Sequence, residues 1–289
     1  MATASSPPPP GAAVLITGCS SGIGHCAAHG LHRRGYRVFA TARRPEDVSR
    51  LAAEGLESLQ LDLDDSDSIH RAAEEVLSRT GNRIYALFNN GGYGQPGAVE
   101  DLSRSALRAQ FETNLFGGLE LSNLLIPAMR RRRQGRIIHN SSVLGLVALP
   151  YRGAYNAAKF ALEGLSDTLR QELHGSGIHV VLIEPGPIES RFRANAWQAL
   201  RREIDMEASV HSDRYRRMAR RLQKTGPVAP FTRAPDAVLE RLIRALESRR
   251  PRPRYYVTPP THLLGHSRRI LSSRALDRLL RWLSRREDN

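Results

Sequence analysis

The sequence predicts a doubly wound α/β fold: a parallel sheet of about seven strands with helices on both faces. Three observations carry that expectation. Short β-branched or apolar runs alternate with longer amphipathic stretches along most of the 289 residues, as strand–helix crossover units do. The runs are mostly apolar throughout, which suits strands covered on both faces. A glycine cluster also sits between the first run and the first amphipathic stretch, where such folds turn from strand to helix.

The strand candidates are Ala13 to Thr17, Tyr36 to Thr41, Ser58 to Asp62, Ile84 to Asn89, Arg136 to Ser141, Ile178 to Glu184 and Tyr255 to Thr258. Helical periodicity covers Gly22 to Arg34, Asp67 to Arg79, Ser103 to Arg132, Ala154 to His174 and Asp236 to Ser248. Residues 190–226 break the rhythm as a polar, arginine-rich insertion. Its Phe192, Trp197, Met206, Tyr215, Met218 and Leu222 are expected to wall an apolar substrate pocket. The domain spans 12–260. Residues 1–11, with four consecutive prolines, read as a disordered tail and not a secretion signal. In 261–289, leucines alternate with arginines as in a basic amphipathic helix or helix pair, suited to packing, to closing over the cleft or to peripheral contact with an anionic membrane.

The formal charge is +14, compatible with nucleic acid, an anionic surface or an anionic ligand. Aromatic content of 6%, with no aromatics interleaved among the arginines, leaves a single-strand nucleic-acid platform unsupported. Two cysteines, Cys19 and Cys26, make no disulfide framework, so a reducing, cytoplasmic setting is expected. His25, His29 and His32 share a helix edge with Cys26. They are read as an exposed histidine edge in preference to a metal face.

Thr17-Gly18-Cys19-Ser20-Ser21-Gly22-Ile23-Gly24 joins the first strand to the first helix. Glycines here let the backbone approach a pyrophosphate, and the helix N-terminus offers N–H donors and partial positive charge. A plain strand–helix turn is the ordinary alternative. Gly18-Cys19-Ser20-Ser21-Gly22 also fits the G-x-S-x-G nucleophile elbow of serine hydrolases, but a proline-rich stretch stands where the elbow's oxyanion-hole loop would be expected. After the second strand the chain reads Ala40-Thr41-Ala42-Arg43-Arg44. The carboxylate that an NAD-preferring site places there is missing, and two guanidiniums suit a 2′-phosphate. NADP(H) is therefore expected over NAD(H), with a solvated basic turn as the alternative. Asp62 could accept from an adenine amino group or cap the next turn.

Of the 43 basic residues only Lys159 and Lys224 are lysine, leaving 41 arginines. Lys159 stands four residues after Tyr155, on the same helix face. A phenol titrates near pH 10, and a fixed ammonium favours the phenolate. A drop of roughly three units would need about 4 kcal/mol. Lysine, compact and with rotatable donors, suits that task better than arginine.

Thr17 to Gly24, Asn89-Asn90-Gly91-Gly92, Asn114, Ser141-Ser142, Tyr155-Asn156-Ala157-Ala158-Lys159 and Pro185-Gly186 together resemble the short-chain dehydrogenase/reductase family. The likeness is to the branch with 17β-hydroxysteroid and retinol dehydrogenase-like enzymes and bacterial aldehyde reductases. It implies a Rossmann-type fold and carbonyl–alcohol oxidoreduction on an apolar substrate. It implies that Tyr155 exchanges the proton, that Lys159 binds the nicotinamide ribose and lowers the Tyr155 pKa, and that Ser142 bonds the substrate oxygen. Asn114 would position a water touching Lys159. Gly18, Ser20, Ser21, Gly22, Ile23 and Gly24 would surround the pyrophosphate. Asp62, Leu63, Asn90 and Gly91 would meet the adenosine half. Pro185, Gly186, Ile188 and Ser190 would meet the nicotinamide side. Gly91 and Ser190 stand where the family more often has alanine and threonine. A homo-oligomer is expected, and no metal. The alternatives are a non-catalytic NADP(H)-binding redox sensor and, less well supported, a serine hydrolase built on Ser20.

Overall fold

A computed structural model describes residues 11–226 and 229–286; the proline run and the last three residues of the tail lie outside them. Seven strands form one all-parallel sheet: β1 (Ala13–Ile16), β2 (Arg37–Ala42), β3 (Glu57–Gln60), β4 (Ile84–Asn89), β5 (Gly135–Asn140), β6 (Ile178–Glu184) and β7 (Arg254–Tyr256). Their spatial order is β3-β2-β1-β4-β5-β6-β7. The order reverses between β1 and β4, which opens a crevice at the C-terminal ends of those strands. The five inner strands are almost wholly buried; the edge strands β3 and β7 are only half covered, so continuous apolar character fades there.

The helices are α1 (Gly22–Arg33), α2 (Pro45–Ala53), α3 (Ser66–Thr80), α4 (Arg104–Phe111), α5 (Gly117–Arg132), α6 (Gly153–Glu172), α7 (Phe192–Glu203), α8 (Ser212–Gln223), α9 (Asp236–Glu247), α10 (Pro259–Ile270) and α11 (Ser273–Arg286). Two apolar cores sandwich the sheet. One joins α1 and α9 to Val14, Ile16, Val38 and Phe88; the other joins α3 and α5 to Leu15, Phe39, Leu87 and Ile137. The alternation of Val14 and Ile16 with Leu15 across β1 is the two-residue period of a strand facing two layers.

The structure departs from the expected elements at three places, of which helix α2, in a stretch not expected to be helical, is the first. The stretch 103–132 is not one helix: a π turn, Glu112–Phe116, separates α4 from α5. The insertion is helical, as α7 and α8. The tail takes one of its two expected forms, a helix pair, and α11 turns Leu276, Leu279, Leu280 and Leu283 inward onto Val147 and Leu264. Among the described residues no helix is long and apolar enough to cross a membrane.

Candidate active site

The strand ends position the site. After β1 the chain enters the glycine loop, where Gly18 (φ +71°) and Gly22 (φ +57°) take left-handed backbone that L side chains rarely adopt. A Cβ on Gly24 would lie 2.2 Å from the Gly18 carbonyl oxygen, so only glycine lets the helix start this close to the turn. The loop is tied from below. Thr17 Oγ1 accepts from the N–H groups of Asn90 (2.9 Å) and Gly91 (2.8 Å), and Asn90 Nδ2 donates to the carbonyls of Thr17 (2.9 Å) and Gly18 (3.2 Å). Asn140 Nδ2 donates in turn to Asn90 Oδ1 at 3.0 Å. Asn90 thus spends its amide bracing the loop. Gly91 also has a local reason: a Cβ there would meet Leu63 Cδ1 at 2.8 Å.

Beyond β5, Ser142 caps a short 3₁₀ turn, its Oγ accepting from Leu144 N–H at 3.1 Å. Tyr155, near the start of α6, lies close enough for the Ser142 hydroxyl to pull its pKa down. Lys159, one turn further, is buried; its Nζ lies 5.7 Å from the Tyr155 ring centre and donates to the Asn140 carbonyl at 2.8 Å. The two side chains therefore share one side of α6, as their spacing requires.

Burial acts on both ionisable heads of the pair. Burial pushes the Tyr155 hydroxyl up to about 12, against the pull of Ser142 and the Arg152 charge. Burial also pulls Lys159 down to about 8, with the Glu163 carboxylate opposing. Desolvation is the largest influence on each group in the free chain, and the lysine is engaged with Asn140. The phenol is consequently protonated at neutral pH, the form that donates.

Asn114 sits in the π turn, where irregular helical bonding often marks function. Its amide pairs both ways with the Tyr93 peptide: Oδ1 accepts at 3.1 Å and Nδ2 donates at 2.8 Å. A cavity of about 10 Å³, open to the centre of a water-sized sphere, is lined by Asn89, Asn114, His139, Asn140 and Lys159. That is close to the least that holds one water. Burial pulls the neighbouring His139 down to about 4, so its ring is neutral there.

On the adenosine side, Arg44 is held by Asp47 at 2.9 Å, whereas Arg43 is exposed and makes no ion pair with the described residues. Asp62 Oδ1 caps the next turn, accepting from Asp64 N–H at 3.2 Å, which leaves Oδ2 for an adenine amino group. On the opposite side, Ser190 packs against Gly22, where a Cβ would meet its own Cβ at 2.9 Å. Ile188 pairs with Arg233 beside it. Gly186 leaves room for Thr258 Oγ1, 2.2 Å from a Cβ placed there, and Pro185 accepts from Val143 N–H at 2.8 Å.

The insertion sends Phe192 to the site and packs its other apolar residues together. Phe192 reaches the site, edge-on to the Tyr155 ring with centres 5.3 Å apart. Trp197, Met206, Met218 and Leu222 pack around buried Tyr215, Leu200 and Ile204 with Ala98 and Leu102, making a small separate core. Tyr215 donates to Asp101 and accepts from Ala98 N–H, which locks α8 onto the loop after β4.

Sequence reasoning missed the layer behind Lys159. Glu163, the next residue on that face, accepts from Ser141, and Arg254 on β7 reaches Glu163 (3.1 Å), Asp167 (2.7 Å) and Glu184 (3.2 Å). The spacing of Glu163 four beyond Lys159 was the available signal. Among the described residues no hydrogen bond joins the Ser20 hydroxyl to a histidine, so a triad built on Ser20 gains nothing from the structure.

The residues fit a nicotinamide dinucleotide: side chains are excluded at Gly18 and Gly22, a helix N-terminus faces the turn, and the Tyr155–Lys159 pair lies at the ends of the same strands. Comparisons agree. The short chain dehydrogenase family profile matches residues 12–201. An oxidoreductase of Escherichia coli K12, YbbO, is 43% identical over 92% of this chain and 93% of its own. Human 17-beta-hydroxysteroid dehydrogenase type 1 is 35% identical over 85% of this chain and 77% of its own. A short-chain dehydrogenase structure from Streptomyces avermitilis superposes with a TM-score of 0.74 at 29% identity, covering 95% of this chain and 98% of that one.

Proposed function

This chain belongs to the short-chain dehydrogenase family, and from that premise we propose that it is an NADP(H)-dependent oxidoreductase interconverting a carbonyl and an alcohol on an apolar substrate. The observation that carries the reading is the convergence of Ser142, Tyr155 and Lys159 beside the glycine loop. Solved relatives hold NAD in one case and NADP in another; the preference for NADP(H) rests on exposed Arg43 and on the missing carboxylate after β2.

When bound, the nicotinamide supplies hydride to the carbonyl carbon or receives it from the alcohol. The chain does the rest. Ser142 orients the substrate oxygen with its hydroxyl. Tyr155 donates its proton to that oxygen in reduction and takes one back in oxidation. Lys159, fixed on the Asn140 carbonyl, holds positive charge beside the tyrosinate left behind, and the cavity reaching Asn114 offers a route for its reprotonation. Phe192, edge-on to Tyr155, favours an apolar substrate and helps exclude water from the exchange.

NADPH oxidation across steroids, retinoids, fatty aldehydes and small ketones tests the proposal. Turnover on at least one apolar class is expected; NADPH binding with no turnover on any would favour the redox-sensor reading.

Peripheral membrane contact is a further part of the proposal. After α11 has buried its leucines, Leu263, Ile270, Leu271 and Trp282 stay exposed among Arg269, Arg274, Arg278 and Arg281. Apolar side chains among cations suit an anionic lipid surface. Co-sedimentation with phosphatidylserine vesicles but not with pure phosphatidylcholine vesicles is expected, and absence from both would refute it.

A further inference from the structure

The histidine edge of α1 acquires a partner that the sequence does not announce. Glu54, just past α2, brings Oε2 to 2.8 Å from His25 Nε2 and 2.7 Å from His29 Nε2. The two imidazoles lie one helical turn apart, with centres 4.5 Å from each other and planes tilted by 58°. The three ligand atoms fall within 4.8 Å of one another. The other two residues of that edge are elsewhere: Cys26 interacts with Asp236, and His32 is not in the cluster.

From this geometry we infer that His25, His29 and Glu54 form a binding site for a divalent transition-metal ion of the zinc class, on the outer face of the dinucleotide-binding half. The inference stands whether or not the proposed oxidoreductase reading does. Two imidazole nitrogens and one carboxylate oxygen are the donor set that zinc takes, whereas magnesium and calcium take oxygen throughout. Three protein ligands leave a fourth tetrahedral position to water. The side chains are partly exposed, at 34%, 23% and 29%, so an ion can enter. They are also oriented from outside the set: Arg50 Nη1 holds Glu54 Oε1 at 3.0 Å, leaving Oε2 turned to the histidines. Arg50 itself is fixed by Asp47 at 3.1 Å and by the Ser20 carbonyl at 2.7 Å. Such outer contacts fix ligand orientation in metal sites. Asp47 also offsets part of the guanidinium's repulsion of a cation.

Zinc titration of the full chain, after dialysis against chelator, tests the site by calorimetry. One zinc per chain is expected. His29→Ala and Glu54→Gln should each weaken binding at least about 10–100-fold, the loss that even an outer-shell change brings, with His32→Ala as the unaffected control. Circular dichroism confirms that each variant is folded; Glu54→Gln keeps the carboxylate's shape and guards against a folding artefact in His29→Ala. Cobalt substitution adds a spectroscopic reading: imidazole and carboxylate ligation gives visible bands without thiolate charge transfer. No zinc uptake, equal affinity in the folded variants, or a thiolate band abolished by Cys26→Ser would each overturn the inference.

Discussion

The Lys159 ammonium donates to the Asn140 carbonyl at 2.8 Å, so the cation beside Tyr155 is fixed by the end of β5 and not free to swing. That bond, more than charge alone, explains lysine at this position in a chain that otherwise favours arginine. A guanidinium would have to place five donors in a fixed plane where an ammonium turns its three, in a site only 5% exposed.

Lys159→Arg is therefore expected to lower kcat/KM about 100-fold or more, the scale of a small misplacement at a reacting centre, while circular dichroism shows the fold retained. Wild-type kinetics would mean that charge alone suffices there.

Arg43→Ala should weaken NADPH about 10–100-fold, as loss of a charge-assisted contact does, and leave NADH nearly unchanged. Arg44→Ala should do less, because Arg44 is already held by Asp47. Dinucleotide affinities by fluorescence titration decide it; equal losses for both cofactors would place 2′-phosphate recognition elsewhere.

Glu184 is fully buried, and burial followed by the nearby Glu163 charge pushes its carboxyl up to about 9. Arg254 Nε lies 3.2 Å from one oxygen without aligning for a hydrogen bond. The native state thus holds this proton more tightly than the unfolded chain, whose glutamate titrates near pH 4.3. This group's contribution to stability falls as pH rises from there toward about 9. Glu184→Gln should flatten the fall in Tm between about pH 6 and about pH 9. An unaltered pH slope would show that the carboxyl ionises without penalty.

Much of the architecture is legible in the sequence because its causes are local. The apolar runs of β1, β4 and β6 and the glycine loop announce themselves, and Tyr155 and Lys159 face one way because helical spacing demands it. What was not legible is long-range or low-contrast. Helix α2 is short, with only Val48 and Leu51 as apolar anchors within a charged stretch, although Pro45 and the acidic first turn marked its start. The π turn at Asn114 shifts one backbone bond and leaves no trace in side-chain periodicity. That Trp197, Met206 and Met218 pack around Tyr215 depends on the Tyr215–Asp101 contact, which joins residues far apart in the chain. The opposed pKa movements of Tyr155 and Lys159 depend on burial, which spacing cannot supply.

Turnover by Tyr155→Phe bears most directly on the central claim, that Tyr155 is the proton donor at this site. With whichever apolar carbonyl the wild-type chain reduces, the variant should lose about 10²- to 10⁴-fold in rate while binding NADPH with unchanged affinity. A variant that reduces the same carbonyl at the wild-type rate would contradict the account.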